Sequence, residues 1–138
     1  MMHSSGSTGL PKPLDYTHKR LLSTLLTAPH LVAFQSVPLF HAQGFLSFIQ
    51  AIYTRKTLYL FNGNVPQTHE TVTAAIRAAK PEFVSTVPYV LKLLAEKRDG
   101  IKVLRQCKVV STSGSRCPDE LGDLMVNEGI HFGIAFGA

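Results

Sequence analysis

The sequence contains no tryptophan and only two cysteines among its 138 residues. Two thiols are too few for the disulfide scaffold of a small secreted protein, and Cys107 and Cys117 lack the closely spaced companions of a zinc site. No apolar run is long enough to cross a bilayer, and the first residues lack the charged-then-apolar pattern of a secretory leader. We therefore expect a cytoplasmic protein with two reduced, unreactive thiols and no membrane partner.

Acidic residues are also few, with 9 against 14 lysines and arginines, which gives a formal net charge of +5. The basic residues are scattered along the chain in short pairs, such as Lys19 with Arg20 and Arg55 with Lys56, and no aromatic stacking motif lies between them. This distribution is typical of a solvated basic surface, so we expect no nucleic-acid partner. Hydrophobic residues make up 45% of the chain, enough for a true core.

Apolar segments of helical and of extended character alternate along most of the chain. Apolar residues at helical spacing, with proline and glycine at the ends, predict helices over Tyr16 to Leu26, Phe45 to Tyr53, Thr68 to Ala79, Tyr89 to Lys97 and Pro118 to Asn127. Short apolar runs predict strands over Leu31 to Pro38, Thr57 to Phe61, Glu82 to Val87, Cys107 to Thr112 and Ile130 to Phe136. The alternation predicts an α/β fold with a mostly parallel sheet flanked by helices.

The most informative segment is a loop rich in glycine and hydroxyl side chains near the first residue. It reads SSGSTGLPK over residues 4–12. Glycines allow successive backbone N–H groups to converge on an anion, and the hydroxyl groups and Lys12 add donors and positive charge, which suits phosphate oxygens. The spacing from Gly6 to Lys12 does not match a Walker loop. No strand is predicted before this loop, although such loops normally follow one, and this abrupt start suggests a fragment.

The loop is similar to the phosphate-loop signature of the adenylate-forming superfamily, which includes acyl-CoA synthetases, adenylation domains of nonribosomal peptide synthetases and luciferases. Three later segments resemble family motifs at the expected places. PLFHAQGF over residues 38–45 resembles the P-x-x-H-x-x-G segment, SGS over residues 113–115 resembles a small-residue turn after a strand, and FGA over residues 136–138 resembles the start of the aromatic-Gly-x-Thr-Glu motif. The resemblance covers residues 1–138 and implies a fragment of the large N-terminal AMP-binding domain, with the C-terminal domain absent.

The resemblance also implies which residues bind which group. The expected nucleotide-binding residues are Ser4, Ser5, Gly6, Ser7, Thr8, Gly9, Lys12, Gly114, Ser115, Phe136 and Gly137. The expected substrate-binding residues are His41, Gly44 and Ser113, with His41 beside the carboxylate. Each has a plainer alternative: His41 would also serve as a structural histidine, and Phe136 as a core residue. The chain carries no complete catalytic set and no expected metal ligand of its own.

In this superfamily a carboxylic acid reacts with ATP and Mg²⁺ to give an acyl-adenylate and pyrophosphate. The acyl group then passes to CoA or to a phosphopantetheine carrier. The implied partners are therefore ATP, a carboxylic acid, the remainder of the adenylation domain and a carrier domain. Because the chain stops before the family's Thr-Glu and lacks its later catalytic residues, we expect the isolated polypeptide to be inactive. We also expect its open sheet to favour poor solubility or self-association.

The string HSSGSTGLPKP at residues 3–13 looks most like NRPS-like proteins of the carboxylic acid reductase type, with Pro13 where many members have glycine. Two alternatives remain open at this point. One is a non-catalytic nucleotide-binding module or pseudoenzyme. The other is an unrelated phosphate-binding enzyme that converged on a Gly/Ser loop.

Overall fold

The computed structural model describes residues 2–3, 9–10 and 12–135. Its helices are α1 His18–Leu26, α2 Ala42–Thr54, α3 His69–Ala79, α4 Pro88–Ala95, α5 Arg98–Arg105 and α6 Asp119–Asn127. Its strands are β1 Met2–His3, β2 Pro13–Leu14, β3 Ala33–Gln35, β4 Leu58–Leu60, β5 Phe83–Thr86, β6 Val109–Thr112 and β7 Phe132–Ile134. The two shortest strands, β1 and β2, pair with each other in antiparallel fashion.

The other strands form one parallel sheet of five strands in the order β4-β3-β5-β6-β7. The chain runs outward from β3 to β4, then crosses back over β3 and continues outward through β5, β6 and β7. The direction of winding therefore reverses between β3 and β5. In open parallel sheets, loops separate at such a reversal and leave a crevice at the carboxyl ends of the strands, where ligands bind.

Local capping interactions explain where the helices begin. Thr68 and Thr71 form a reciprocal capping box at the start of α3. Helix α1 begins after Thr17, whose side chain accepts a hydrogen bond from the Arg20 N–H. Pro88 begins α4, where its missing N–H costs no intrahelical bond. These short-range contacts make the helix starts readable from sequence.

The main core lies on one face of the sheet. Phe34, Val84 and Val110 point from three neighbouring strands into a cluster with helices α3 to α6. Three leucines of this cluster, Leu91, Leu94 and Leu104, are fully buried. Burying side chains of this size supplies roughly 1.5–3 kcal/mol each, so this face provides most of the hydrophobic stabilisation.

The opposite face of the sheet is covered only in part among the described residues. Alternation along the strands turns Gln35 and Ser85 towards α2, where they contact Ser47 and Gln43 respectively. Large apolar side chains on this side are exposed, including Phe45, Phe48 and Ile52 of α2, Leu22 and Leu26 of α1, and Leu60 of the edge strand β4. Such a surface is prone to association. The expectation of poor solubility stays a prediction that this exposure supports.

The predicted α/β class and the alternation of elements are confirmed, and two details are wrong. A strand does precede the glycine-rich loop, because Met2–His3 pairs with Pro13–Leu14. The predicted helix Tyr89 to Lys97 ends earlier, and a separate helix, α5, follows it. Lys97 is the N-cap of α5 rather than part of the last turn of α4. The remaining elements lie within one to three residues of the predicted ends.

Candidate functional site

Most of the predicted phosphate loop and the last predicted motif lie outside the described residues. This applies to Ser4, Ser5, Gly6, Ser7, Thr8, Phe136, Gly137 and Ala138. Of the loop, Gly9 is exposed with φ +155°, and Lys12 is exposed immediately before β2. The nucleotide-binding roles of all these residues stay predictions.

His41 lies at the start of α2, one residue before its first turn. It is the N-cap of the helix, and its Nδ1 accepts a hydrogen bond from the Gln43 N–H at 3.3 Å. A neutral imidazole that accepts at Nδ1 carries its proton on Nε2, so the exposed side of the ring presents a donor. His41 therefore combines a structural role with an N–H group available to an anionic oxygen.

Gly44 lies in the first turn of α2 and is buried. A Cβ atom at this position would lie 2.1 Å from the carbonyl oxygen of Pro38. The helix start is therefore packed directly against the backbone of the loop that follows β3. Gly44 does not line the cavity described below, so its position indicates a packing role that holds His41 in place.

Ser113, Gly114 and Ser115 form the turn after β6. The Ser113 N–H donates to the Thr86 carbonyl at 3.2 Å, which ties the turn to the neighbouring strand β5. Gly114 adopts φ +88°, a conformation that L-residues with side chains rarely adopt. Gly114 and Ser115 are exposed. Gly114 therefore allows a sharp turn, and its backbone is exposed without a side chain at the carboxyl edge of the sheet.

A cavity of about 400 Å³ brings several of these residues together. His41 contributes from the start of α2, Ser113 and Gly114 from the turn after β6, and Ala135 from the end of β7. The walls between them come from α1, α2 and the partly covered sheet face: Tyr16, Thr24, Pro29, Ala42, Gln43, Leu46, Ser47, Gln50, Phe83, Ser85 and Ser111. The cavity thus lies at the crevice that the reversal of winding predicts. Ser115 does not line it.

Several polar residues of this cavity are not among the predicted site residues. Gln43 lies within the PLFHAQGF segment, and Ser85 and Ser111 lie within predicted strands, but none of the three was named as a site residue. Their signal was a serine directly after a core valine in each strand, Ser85 after Val84 in EFVSTV and Ser111 after Val110 in KVVST, which places the serines on the opposite face. Reading that signal requires knowledge that the second sheet face borders a cavity, which a single strand does not provide.

A larger cavity of about 650 Å³ lies behind the sheet, between α3 and α5. It is lined by Ile76, Arg77, Lys80, Pro81, Asp99, Lys102, Val103, Gln106 and Cys107. None of the predicted site residues that the structure describes borders this cavity, so volume alone does not identify the site. Among residues 2–3, 9–10 and 12–135, no group of three metal-ligating side chains is present.

A doubly wound α/β sheet with a polar crevice at a reversal of winding defines a broad class of ligand-binding proteins. The comparison with known families is specific: the model of the AMP-binding enzyme family matches residues 1–138. The chain belongs to this family. The match excludes the alternative of an unrelated enzyme with a convergent loop.

Similar proteins agree with this assignment. The chain is 28% identical to the adenylate-forming reductase stbB of Stachybotrys bisbyi, over 94% of this chain and 13% of that protein. It is 26% identical to the adenylate-forming reductase Nps10 of Heterobasidion annosum, over 100% of this chain and 14% of that protein. The chain therefore spans about one seventh of the length of these relatives, and what the whole protein does is a matter for proposal.

The fold is similar to that of the N-terminal domain of FACL13 from Mycobacterium tuberculosis, solved with an inhibitor bound. The TM-score is 0.78 at 19% identity, over 99% of this chain and 36% of that one. This likeness confirms the predicted fold, a mostly parallel sheet flanked by helices. Within the described part of the chain, none of the helices has the length and apolar character that spanning a membrane requires.

Proposed function

We propose that the chain is part of an adenylation domain that activates a carboxylic acid with ATP. The observation that most directly supports this function is that His41 and the Ser113–Gly114 turn border one cavity at the carboxyl edge of the sheet. These two motifs are far apart in the sequence, yet they face the same space. The acyl group would then pass to a carrier domain or CoA, as a cytoplasmic enzyme of the NRPS-like reductase type would do.

The chemistry assigned to the site is a displacement at the α-phosphorus of ATP. A carboxylate oxygen forms the new P–O bond, the bond from the α-phosphorus to the bridging oxygen breaks, and pyrophosphate leaves with its electron pair. The protein contributes mainly by positioning the reactants and neutralising charge. The Nε2–H of His41 is suited to hold a carboxylate oxygen of the acid.

The described residues fit a nucleotide at the turn after β6. Gly114 is exposed, and a Cβ there would meet only the Val87 side chain at 3.6 Å, so a planar group can approach the backbone closely. Gly114 and Ser115 would border the adenine, and Phe136 would pack on it. Ser4, Ser5, Ser7, Thr8 and Lys12, with the amides around Gly6 and Gly9, would hold the phosphates.

Mg²⁺ would be held chiefly by phosphate oxygens. Magnesium in nucleotide sites typically uses one or two carboxylates plus substrate phosphates and water, so it does not need a dedicated cluster of protein ligands. Its chemical contribution would be to neutralise charge on the phosphate oxygens. The proposed function therefore includes a bound Mg²⁺ ion and transfer of the acyl group to a carrier domain or to CoA.

The first test is calorimetric titration of ATP with Mg²⁺ into the complete gene product that carries this chain. Lys12→Ala should weaken binding by roughly ten- to a hundred-fold, because a charge-assisted contact to phosphate is lost. Lys19→Ala is the matched control, since Lys19 is exposed on α1 and does not line the cavity. Equal affinity in all three proteins would contradict the assigned phosphate loop.

The second test is acid-dependent ATP–pyrophosphate exchange by the same gene product. Exchange that appears only with a carboxylic acid supports adenylation. ATP binding without exchange for any acid would overturn the proposal in favour of a non-catalytic nucleotide-binding module. Exchange by the isolated 138-residue chain would contradict the expectation that this chain alone is inactive.

A further inference from the structure

The floor of the cavity is a row of polar positions that runs across the sheet. Gln35, Ser85 and Ser111 are paired in register on β3, β5 and β6, and Gly133 continues the row on β7. All lie on the face opposite the apolar core, because they alternate with Phe34, Val84, Val110 and Phe132. Ser85 and Ser111 line the cavity directly.

Two amide side chains along this row are incompletely hydrogen-bonded. The Gln43 Nε2 donates to Ser85 Oγ at 2.7 Å, while its buried Oε1 has no partner among the described residues. Gln35 is fully buried; its Oε1 accepts from Ser47 Oγ at 3.3 Å, and its Nε2 has no partner in the same part of the chain. If the Gln43 amide were rotated by 180°, its oxygen would face Ser85 and its NH₂ group would be the one without a partner.

The unpaired amide atom of Gln43 indicates that this side chain needs a further hydrogen-bond partner. A buried polar atom without a partner is costly, so such atoms normally meet water or a ligand group. Gln43 lines the cavity, and the Ser111 hydroxyl at the floor makes no hydrogen bond within the described residues. Because the Gln43 Oε1 atom is itself buried, a bound molecule would reach this amide only after the side chain turns towards the cavity, whereas Ser111 already lines it.

We propose that the acid selected at this site carries a hydroxyl group on its acyl part, which hydrogen-bonds to the Gln43 amide and to Ser111. This inference rests on the adenylation function proposed above. A hydroxyl both donates and accepts, so it can pair with the Gln43 oxygen and the Ser111 hydroxyl at once. An alkyl chain of the same size would leave these groups buried and unpaired.

The charge of the lining argues against an ionised substituent. None of the described residues that border the cavity is Asp, Glu, Lys or Arg. A charged group on the acyl part would lose its hydration without gaining an opposite charge, which is strongly unfavourable. The apolar walls from Leu46 and Phe83 would pack against the rest of the acyl group. The described part of the lining therefore suits an acyl group that is polar but uncharged.

The test compares matched pairs of acids in the exchange assay with the complete gene product. Suitable pairs are 2-, 3- and 4-hydroxybenzoate against the corresponding methylbenzoates, and 2- and 3-hydroxyhexanoate against 2- and 3-methylhexanoate. We expect kcat/KM to favour the hydroxylated acid by roughly 10- to 100-fold for at least one position. A preference for the methylated acid at every position would overturn the inference.

Two variants test whether Gln43 and Ser111 cause the preference for hydroxylated acids. Ser111→Ala and Gln43→Leu should each reduce the hydroxyl preference towards one, chiefly by lowering kcat/KM for the hydroxylated acid. Ser23→Ala is the matched control, because Ser23 is exposed on α1 and bonds only the Lys19 carbonyl. A purely structural effect would lower kcat/KM for both acids of a pair equally and would contradict the inference.

The two proposals fail in different ways. Exchange that occurs with methylated acids but shows no hydroxyl preference would retain adenylation and reject the hydroxylated substrate. ATP binding without exchange for every acid in a wide panel would reject adenylation itself. The ratio within each pair is independent of how much protein folds, so partly unfolded variants still give a valid answer.

Discussion

Gly44 and Pro38 lie so close that a Cβ atom on Gly44 would be 2.1 Å from the Pro38 carbonyl oxygen and 2.8 Å from its carbonyl carbon. The contact joins the first turn of α2 to the loop after β3, and His41 lies between the two residues in sequence. The position of the candidate site therefore depends on a glycine that does not itself border the cavity.

Gly44→Ala should destabilise the protein by about 1–3 kcal/mol, because the clash is with backbone that cannot rotate away. Urea unfolding followed by circular dichroism would measure the effect. Gly63→Ala is the matched control, since a Cβ at Gly63 would have nothing within 4 Å. Equal unfolding midpoints for the two variants would show that the loop after β3 adjusts without cost.

Leu91→Ala should remove about 2–5 kcal/mol from the free energy of unfolding, since Leu91 is fully buried in the main core and its removal leaves a cavity. Leu26→Ala offers the same chemical change on α1, where the side chain is 73% exposed. We expect that control to change stability by less than about 0.5 kcal/mol. Chemical denaturation of both variants gives the comparison, and similar losses would contradict the assignment of the core.

The buried His69 should make stability depend on pH. Burial lowers its pKa, but hydrogen bonds to the Leu93 carbonyl and to Asp99 outweigh burial, and the pKa is raised above its ordinary value of 6.5. The stabilisation from protonated His69 is therefore full below pH 6.5 and is lost as the pH rises through the folded-state pKa. The Asp99 pKa is lowered, chiefly by the hydrogen bond from His69, so its contribution is full above its ordinary 3.8 and is lost in acid.

Melting temperatures measured from pH 4 to pH 8 would test this expectation. The wild-type protein should lose stability above pH 6.5, and Asp99→Asn should flatten that loss because the carboxylate that favours the protonated imidazole is gone. Asp123→Asn is the control, since Asp123 is exposed on α6 and makes no ion pair with any described residue. Identical pH profiles for the two variants would contradict the role of the His69–Asp99 pair.

Neither cysteine should react with a thiol reagent while the protein is folded. Burial raises the pKa of Cys107 to about 11, and burial together with Asp119 raises the pKa of Cys117. At pH 8 roughly one Cys107 thiol in a thousand is ionised, and only the thiolate is nucleophilic. Dithionitrobenzoate should label both thiols slowly in buffer and fast in 6 M urea. Rapid labelling of a folded sample would contradict the burial of these residues.

Local interactions account for what could be read from the sequence. The capping threonines Thr68 and Thr71, Pro88 at the start of α4 and the alternation around Val84 each act over a few residues, so they are visible in the sequence itself. The family motifs were equally readable because each is a short contiguous string. Their detailed binding roles stay predictions.

Contacts between distant residues account for what the sequence left undecided. Helix α5 was missed because Gly100 interrupts its pattern, yet a Cβ at Gly100 would lie 2.1 Å from the Leu94 carbonyl oxygen, so close packing of α4 and α5 requires the glycine. The strand order is set by pairing between residues 50 positions apart, such as Ala33 with Phe83. The polar row from Gln35 to Ser111 exists only once those strands are paired, because hydrogen bonding between strands, and not local preference, sets which side chains share a face.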